Sequence, residues 1–215
     1  MTVQSISPEG ALAPSPLSHV LAQMRAGRPV LVLDDAEREN EADLIVAADR
    51  IDAATMALLI REGSGIVCLC IRPAQAQAMQ LHPMVEVNRS RYATAFTQSI
   101  EAAHGISTGV CAADRVQTIR CALRSMAGPS EIVSPGHVFP LIARPGGVLE
   151  RQGHTEAAVD LATLAGCQPA GVLCELMNAD GSMARGAQVA AFAERHGLAC
   201  TSVAAVRAYR LAEGL

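Results

Sequence analysis

The chain has 215 residues, 50% of them apolar and 18% charged, with a formal net charge of −4. At roughly 150 residues per domain this length supports one domain or two small ones, and the apolar share excludes disorder over most of it. All 17 basic residues are arginine, so chemistry built on lysine is excluded (Schiff bases, pyridoxal phosphate, the P-loop), and any anion must meet arginine, backbone N–H groups or a metal.

Residues 1–18, rich in Ser, Pro and Gly, read as a loose leader without the basic and apolar regions of a signal peptide. Leu17–Arg25 carries apolar residues at helical spacing and stops near Gly27. Val30–Leu33 is a short apolar strand, followed by the charged run DDAERENEAD and a second strand over 44–48, a hairpin-like pair. Ala53–Glu62 reads as a helix ending at Gly63, 65–71 as a strand, and a helix opens at Pro73. Residues 93–101 alternate as a strand, 112–123 form an amphipathic helix, and 138–142 are extended. A helix over His154–Leu164, a strand over 171–177 and helices over 186–195 and 202–211 complete the chain. Strands and helices mix without strict βαβ alternation, which predicts an α+β fold with a mixed sheet covered by helices.

No apolar run approaches the ~20 residues of a membrane span. With no tryptophan, five aromatics and no basic stripe, neither a membrane nor a nucleic acid is expected as partner. The seven cysteines form no CxxC pair, which excludes zinc ribbons, and most sit in apolar stretches, as expected of reduced thiols in a cytoplasmic protein.

Four stretches carry candidate chemistry. In RENEAD (38–43), Glu39, Glu41 and Asp43 alternate, so an extended backbone would converge three carboxylates that repel unless a cation such as Mg²⁺ or Mn²⁺ sits among them. The run equally fits a solvated acidic turn. In RQGHTEAAVDLATLAG, Arg151 precedes a helix start carrying His154 and Thr155, a phosphate cradle without lysine and a candidate metal-binding imidazole, or simply a capped helix. His137 follows a Pro-Gly turn in SPGHVFPL and is placed at a strand mouth as a candidate acid or base. Glu175 is a carboxylate inside an apolar strand and needs a partner or a function.

Six stretches in order, VLVLDDAERENEADLI, GSGIVCLC, GISTGVCAADR, PGHVFPL, GGVLERQGHTEAAVDLATLAG and PAGVLCELMNADGSMAR, resemble the 3,4-dihydroxy-2-butanone 4-phosphate synthase family of riboflavin biosynthesis over about 20–210. The resemblance implies a three-layer α+β fold with a mixed β-sheet flanked by helices, of the dihydroxybutanone phosphate synthase/YrdC-like type, as one catalytic domain over 19–215. It implies a cytoplasmic, homodimeric lyase with active sites at or near the subunit interface. That enzyme would turn D-ribulose 5-phosphate into L-3,4-dihydroxybutan-2-one 4-phosphate and formate with two divalent cations, Mg²⁺ or Mn²⁺, and no organic cofactor. Metal ligands fall on Glu39 and His154. Substrate contacts fall on Arg38, Glu39, Asp43, Arg151, Gln152, Gly153, His154, Thr155 and Glu175, and residues essential for turnover on His137 and Glu175.

Ala42, Ala93 and Ala95 stand where the family usually has glycine, and Ser134 where it usually has arginine. These departures motivate two alternatives: a catalytically silent homologue that binds sugar phosphate or acts as a structural partner, and a YrdC-like nucleotide- or RNA-binding module. The absence of lysine argues against the second.

Overall fold

The computed structural model describes residues 15–128 and 130–215. The first fourteen residues of the expected leader lie outside the described residues. Ser15 is already tied to the far end of the chain, its N–H donating to the Cys200 carbonyl and its hydroxyl accepting from the Cys200 N–H.

Helix α1 (Leu17–Arg25) leads into β1 (Val30–Leu33) and β2 (Ala42–Ala47), then α2 (Ala53–Glu62), β3 (Cys68–Ile71), α3 (Pro73–Ala78) and β4 (Ile100–Ala102). These are followed by α4 (Ala112–Ser125), β5 (Ile132–Ile142), α5 (His154–Leu164), β6 (Gly171–Glu175), α6 (Ala187–His196), β7 (Cys200–Ser202) and α7 (Val203–Glu213). The seven strands among the described residues make one sheet in the order β4-β5-β3-β6-β2-β1-β7. The β1–β7 and β3–β5 pairs are parallel and the other four antiparallel. It is a mixed sheet of an α+β fold.

Each face of the sheet buries its own core, because the period-2 alternation of the strands sends successive apolar side chains to opposite sides. Leu31, Leu44, Leu69 and Val172 pack with Met56 and Leu59 of α2, Ile119 of α4 and Phe192 of α6. Val30, Val32, Ile45, Cys70 and Leu173 pack with Met24 of α1, Leu161 of α5 and Val206 of α7. Three layers result. Local signals set several helix ends: Asp52 caps α2 by accepting from the Thr55 N–H, Pro73 opens α3, and Ser202 caps α7 through the Ala205 N–H. Among the described residues no helix is long and apolar enough to cross a membrane.

Two expectations differ in detail and one strand was not expected. Residues 93–101 are not one strand: only Ile100–Ala102 joins the sheet, and Phe96 and Thr97 make isolated bridges to Leu141 and Pro83. Ala93 has a positive φ of 49°, which turns the chain and breaks the ladder. β7 was not legible locally, since its three residues become a strand only by pairing with β1. His137 lies within the span of β5, not at its mouth, although the ladder there is broken.

Candidate active site and metal centre

The hairpin β1–β2 carries the acidic loop to the sheet end where β6 finishes and α5 begins. In the β2–β6 ladder Asp43 is registered opposite Glu175, so both belong to the face covered by α5. The loop is closed by Asp34, which directly follows β1. Its carboxylate accepts from the backbone N–H groups of Glu39 and Glu41 at 3.1 and 2.9 Å and from the Arg38 guanidinium at 2.8 Å. Asn40 takes a positive φ of 54°, so the loop is a folded turn and not the extended segment the alternation suggested. Glu39, Glu41 and Asp43 nevertheless line one pocket.

That pocket has a volume of about 150 Å³ and is also lined by Arg38, Arg151, His154, Thr155 and Glu175, with Cys68, Thr94 and Phe96. His154, the first residue of α5, is buried. Its Nε2–H donates to the Val32 carbonyl at 3.1 Å, and because a carbonyl only accepts, Nε2 keeps its hydrogen and Nδ1 is the nitrogen that gains or loses a proton or meets a metal. Nδ1 then faces the carboxylates of Asp43 at 3.6 Å and Glu39 at 3.8 Å. Asp34, Glu39 and His154 offer donor atoms that all lie within 4.8 Å of one another.

The electrostatics follow from burial. Burial drives the Asp43 carboxyl up to about 7 against the pull of His154, with Glu175, Glu41 and Glu39 adding to the rise. Burial alone would lower His154, but Asp43, Glu39 and Asp34 outweigh it and hold the imidazole at about 9. Glu41 is also raised, first by burial and then by Glu39 and Glu175. Five carboxylates gather around one imidazole, and among the described residues the buried Oδ1 of Asp43 has no hydrogen-bond partner. An oxygen-rich donor set with one imidazole and an orphaned carboxylate oxygen fits a hard divalent cation.

Arg151 is fixed in a different way. It donates to the buried Glu156 at 2.6 Å, and its other terminal nitrogen donates to the Tyr92 carbonyl and the Thr94 hydroxyl. Glu156 also accepts the Arg144 N–H. The guanidinium therefore sits locked beside the opening turn of α5, whose first N–H groups have no partner within the helix. Such a corner suits an anion. Glu175 accepts from the Ser64 hydroxyl at 2.5 Å.

The structure thus gathers Arg38, Glu39, Asp43, Arg151, His154, Thr155 and Glu175. Gln152 is exposed and does not line the pocket, and Gly153 caps α5. His137 also lies outside it, bonded to Glu101. Sequence reading missed three contributors. Asp34 was signalled by its place at the head of an acidic loop, where a short carboxylate caps following N–H groups. Tyr92, whose hydroxyl donates to the Arg38 carbonyl and whose ring faces that guanidinium, and Thr94 carried no local signal. Of the departures, Ala42 packs into the core on the opposite face of the sheet, away from the pocket.

A family model described as 3,4-dihydroxy-2-butanone 4-phosphate synthase matches residues 18–209. A curated protein of that name from Bordetella pertussis is 58% identical over 198 residues, covering 92% of this chain and 86% of the relative. A solved two-domain synthase of that name from A. baumannii is 43% identical with a TM-score of 0.86. The match covers 91% of this chain, which spans only 58% of that protein. A second solved synthase, in complex with two magnesium ions, is 38% identical with a TM-score of 0.87, covering 93% of this chain and 99% of that one.

Proposed function

Because this chain belongs to the 3,4-dihydroxy-2-butanone 4-phosphate synthase family, lyases of riboflavin biosynthesis, we propose that it converts D-ribulose 5-phosphate to L-3,4-dihydroxybutan-2-one 4-phosphate and formate. One observation carries the reading: Glu39 and His154, far apart in sequence, bring their donor atoms together in a pocket whose other wall is Arg151 and the start of α5.

In this reading Glu39 and His154 hold divalent metal, two Mg²⁺ or Mn²⁺ ions per site, and no organic cofactor takes part. When bound, such ions supply Lewis-acid stabilisation of the charge that develops on neighbouring sugar oxygens. The protein supplies the rest. Arg151, Gln152, Gly153 and Thr155 receive the phosphate at the positive end of α5, and Gly153 leaves room for the Arg151–Glu156 pair beside it. Arg38, held by Asp34 and Tyr92, orients the sugar. Enolisation requires a base near C3, and Asp43 and Glu175 present carboxylates on the same wall. Glu175 keeps its orientation through Ser64.

His137 is 46% exposed at its side chain and lies outside this chain's pocket. We assign it to turnover in the pocket of a second copy, which makes the working unit a homodimer. Exposed Val133 on the same strand, with exposed Ile66 and Val110, supports an apolar contact there. Seven free cysteines suit the reducing cytoplasm.

Formate release from ribulose 5-phosphate with Mg²⁺, abolished by EDTA, tests the reading. The expected result is turnover that returns on adding metal back. Absence of formate at saturating metal and substrate overturns it, and substrate binding without turnover would favour the silent homologue.

A further inference from the structure

The β4–β5 ladder contains an irregularity that serves one side chain. Ile100 pairs with Val138, but the next residue, Glu101, pairs with Val133. Ser134, Pro135, Gly136 and His137 therefore lie between two adjacent rungs and bulge out of the ladder. Bulges of this kind redirect a side chain and recur beside active sites. The bulge is pressed onto β4: the Gly136 N–H donates to the Ser99 hydroxyl, and a Cβ at Gly136 would lie 2.0 Å from the Ile100 carbonyl oxygen. Only glycine allows that approach. Its consequence is to set His137 over Glu101, with Nδ1 at 2.6 Å from the carboxylate.

Glu101 is itself held from behind. It is 9% exposed, and its other oxygen accepts from the Thr118 hydroxyl of α4 at 3.3 Å. The same hydroxyl accepts from the Ala102 N–H. Gly109 closes over the carboxylate so tightly that a Cβ there would lie 2.1 Å from Oε2. Asp114 braces that loop by accepting from the Ser107 and Gly109 N–H groups and the Ser107 hydroxyl. Gly109 and a buried threonine thus converge on one carboxylate whose visible task is to hold an imidazole, and Gly136 lets the backbone bring that imidazole to it.

We propose that Glu101 is a positioning residue for the lyase reaction: anchored by Thr118 and Gly109, it keeps the proton of His137 on Nδ1 and turns Nε2 outward to exchange a proton with substrate. An imidazole oriented by a buried carboxylate is fixed in tautomer and direction, and losing that partner impairs proton transfer more than binding. The inference rests on the assignment of His137 to turnover made above.

The test compares Glu101→Gln, Glu101→Asp and His137→Gln in the full-length protein by formate release, with imidazole ¹⁵N NMR of the unaltered enzyme, the His137 signal being identified by its loss in His137→Gln. In Glu101→Gln, kcat is expected to fall on the order of 10²-fold while KM moves less than about threefold. Glu101→Asp, which keeps a carboxylate, should retain more of kcat than Glu101→Gln. In the unaltered enzyme His137 should carry its proton on Nδ1. Unchanged kcat in Glu101→Gln, or a proton on Nε2 of His137 in the unaltered enzyme, overturns the proposal; the second measurement stands even if the variants fold poorly. Full activity of His137→Gln would instead refute the assignment of His137 itself, and inactive His137→Gln beside active Glu101→Gln would refute only the role of Glu101.

Discussion

Asp43 and Glu175 stand directly opposite one another in the β2–β6 ladder and line the same pocket. Like charges in facing positions destabilise a sheet. The pair is tolerable because His154 of α5 faces Asp43 and the Ser64 hydroxyl donates to Glu175, and a cation would do so better.

That arrangement makes the metal-free protein pH-sensitive. His154 is raised from its ordinary value to about 9, so the stability it contributes is complete below about 6.5 and is lost as pH climbs to 9. Asp43 is raised to about 7, so its ionisation costs stability that grows from about pH 4 up to 7. Both effects run the same way: the native state holds more protons than the unfolded chain, and stability falls with rising pH. Calorimetric melts in EDTA should show a lower Tm at about pH 8.5 than at about pH 6.5. Mg²⁺ should raise Tm more at the higher value, where it no longer competes with the imidazole proton. A Tm independent of pH would contradict this.

Asp34 organises the acidic loop by accepting from Glu39, Glu41 and Arg38. Asp34→Asn is nearly isosteric but turns one acceptor oxygen into a donor facing N–H groups. Divalent-metal affinity, measured by titration calorimetry, should weaken roughly 10- to 100-fold, the usual effect of losing a group that orients metal ligands. Glu39→Gln should lose measurable binding altogether, together with turnover. Near-normal turnover in Glu39→Gln would mean that the loop is only a solvated turn.

Arg151 neutralises Glu156, whose side chain is 1% exposed. Arg151→Ala leaves that carboxylate buried beside a single backbone N–H, and should cost about 3 kcal/mol of stability in denaturant unfolding, besides raising KM. The double variant Arg151→Ala/Glu156→Gln should recover part of the stability but none of the KM. That split separates the folding role of the arginine from its anion-binding role, and full recovery of KM would argue against the phosphate cradle.

Asp52 offers a control remote from the pocket. It accepts the Thr55 N–H at 2.7 Å as the α2 cap, a bond that holds its carboxyl below the ordinary range. Asp52→Ala should cost about 1 kcal/mol with unchanged kcat. Because the carboxyl is depressed, this contribution is present above its unfolded value and fades as pH falls through the folded one, so variant and parent should converge in acid.

Much was legible in the chain itself. Short apolar runs at Val30–Leu33 and in 171–177, helical spacing at Ala53–Glu62, and the helix opening at Pro73 are local signals, written in neighbouring residues and recoverable from them. The absence of lysine leaves an anion to arginine, backbone N–H groups or a metal, which points to Arg151 and the start of α5. Even the acidic loop was visible, although its turn through Asn40 was not.

Other features exist only because distant segments meet. β7 is three residues with no strand signal until β1 pairs with them, and Tyr92 and Thr94 act at the pocket only because Arg151 reaches across to them. The partner of His137 emerged in the same way: a four-residue slip between β4 and β5 sets it on Glu101, with Thr118 of α4 behind. Composition and periodicity encode what each segment prefers beside its own neighbours. Which carboxylate ends up against which imidazole is decided by strand register and by two glycines, Gly136 against the backbone of β4 and Gly109 against the Glu101 carboxylate, and those are properties of the packed whole.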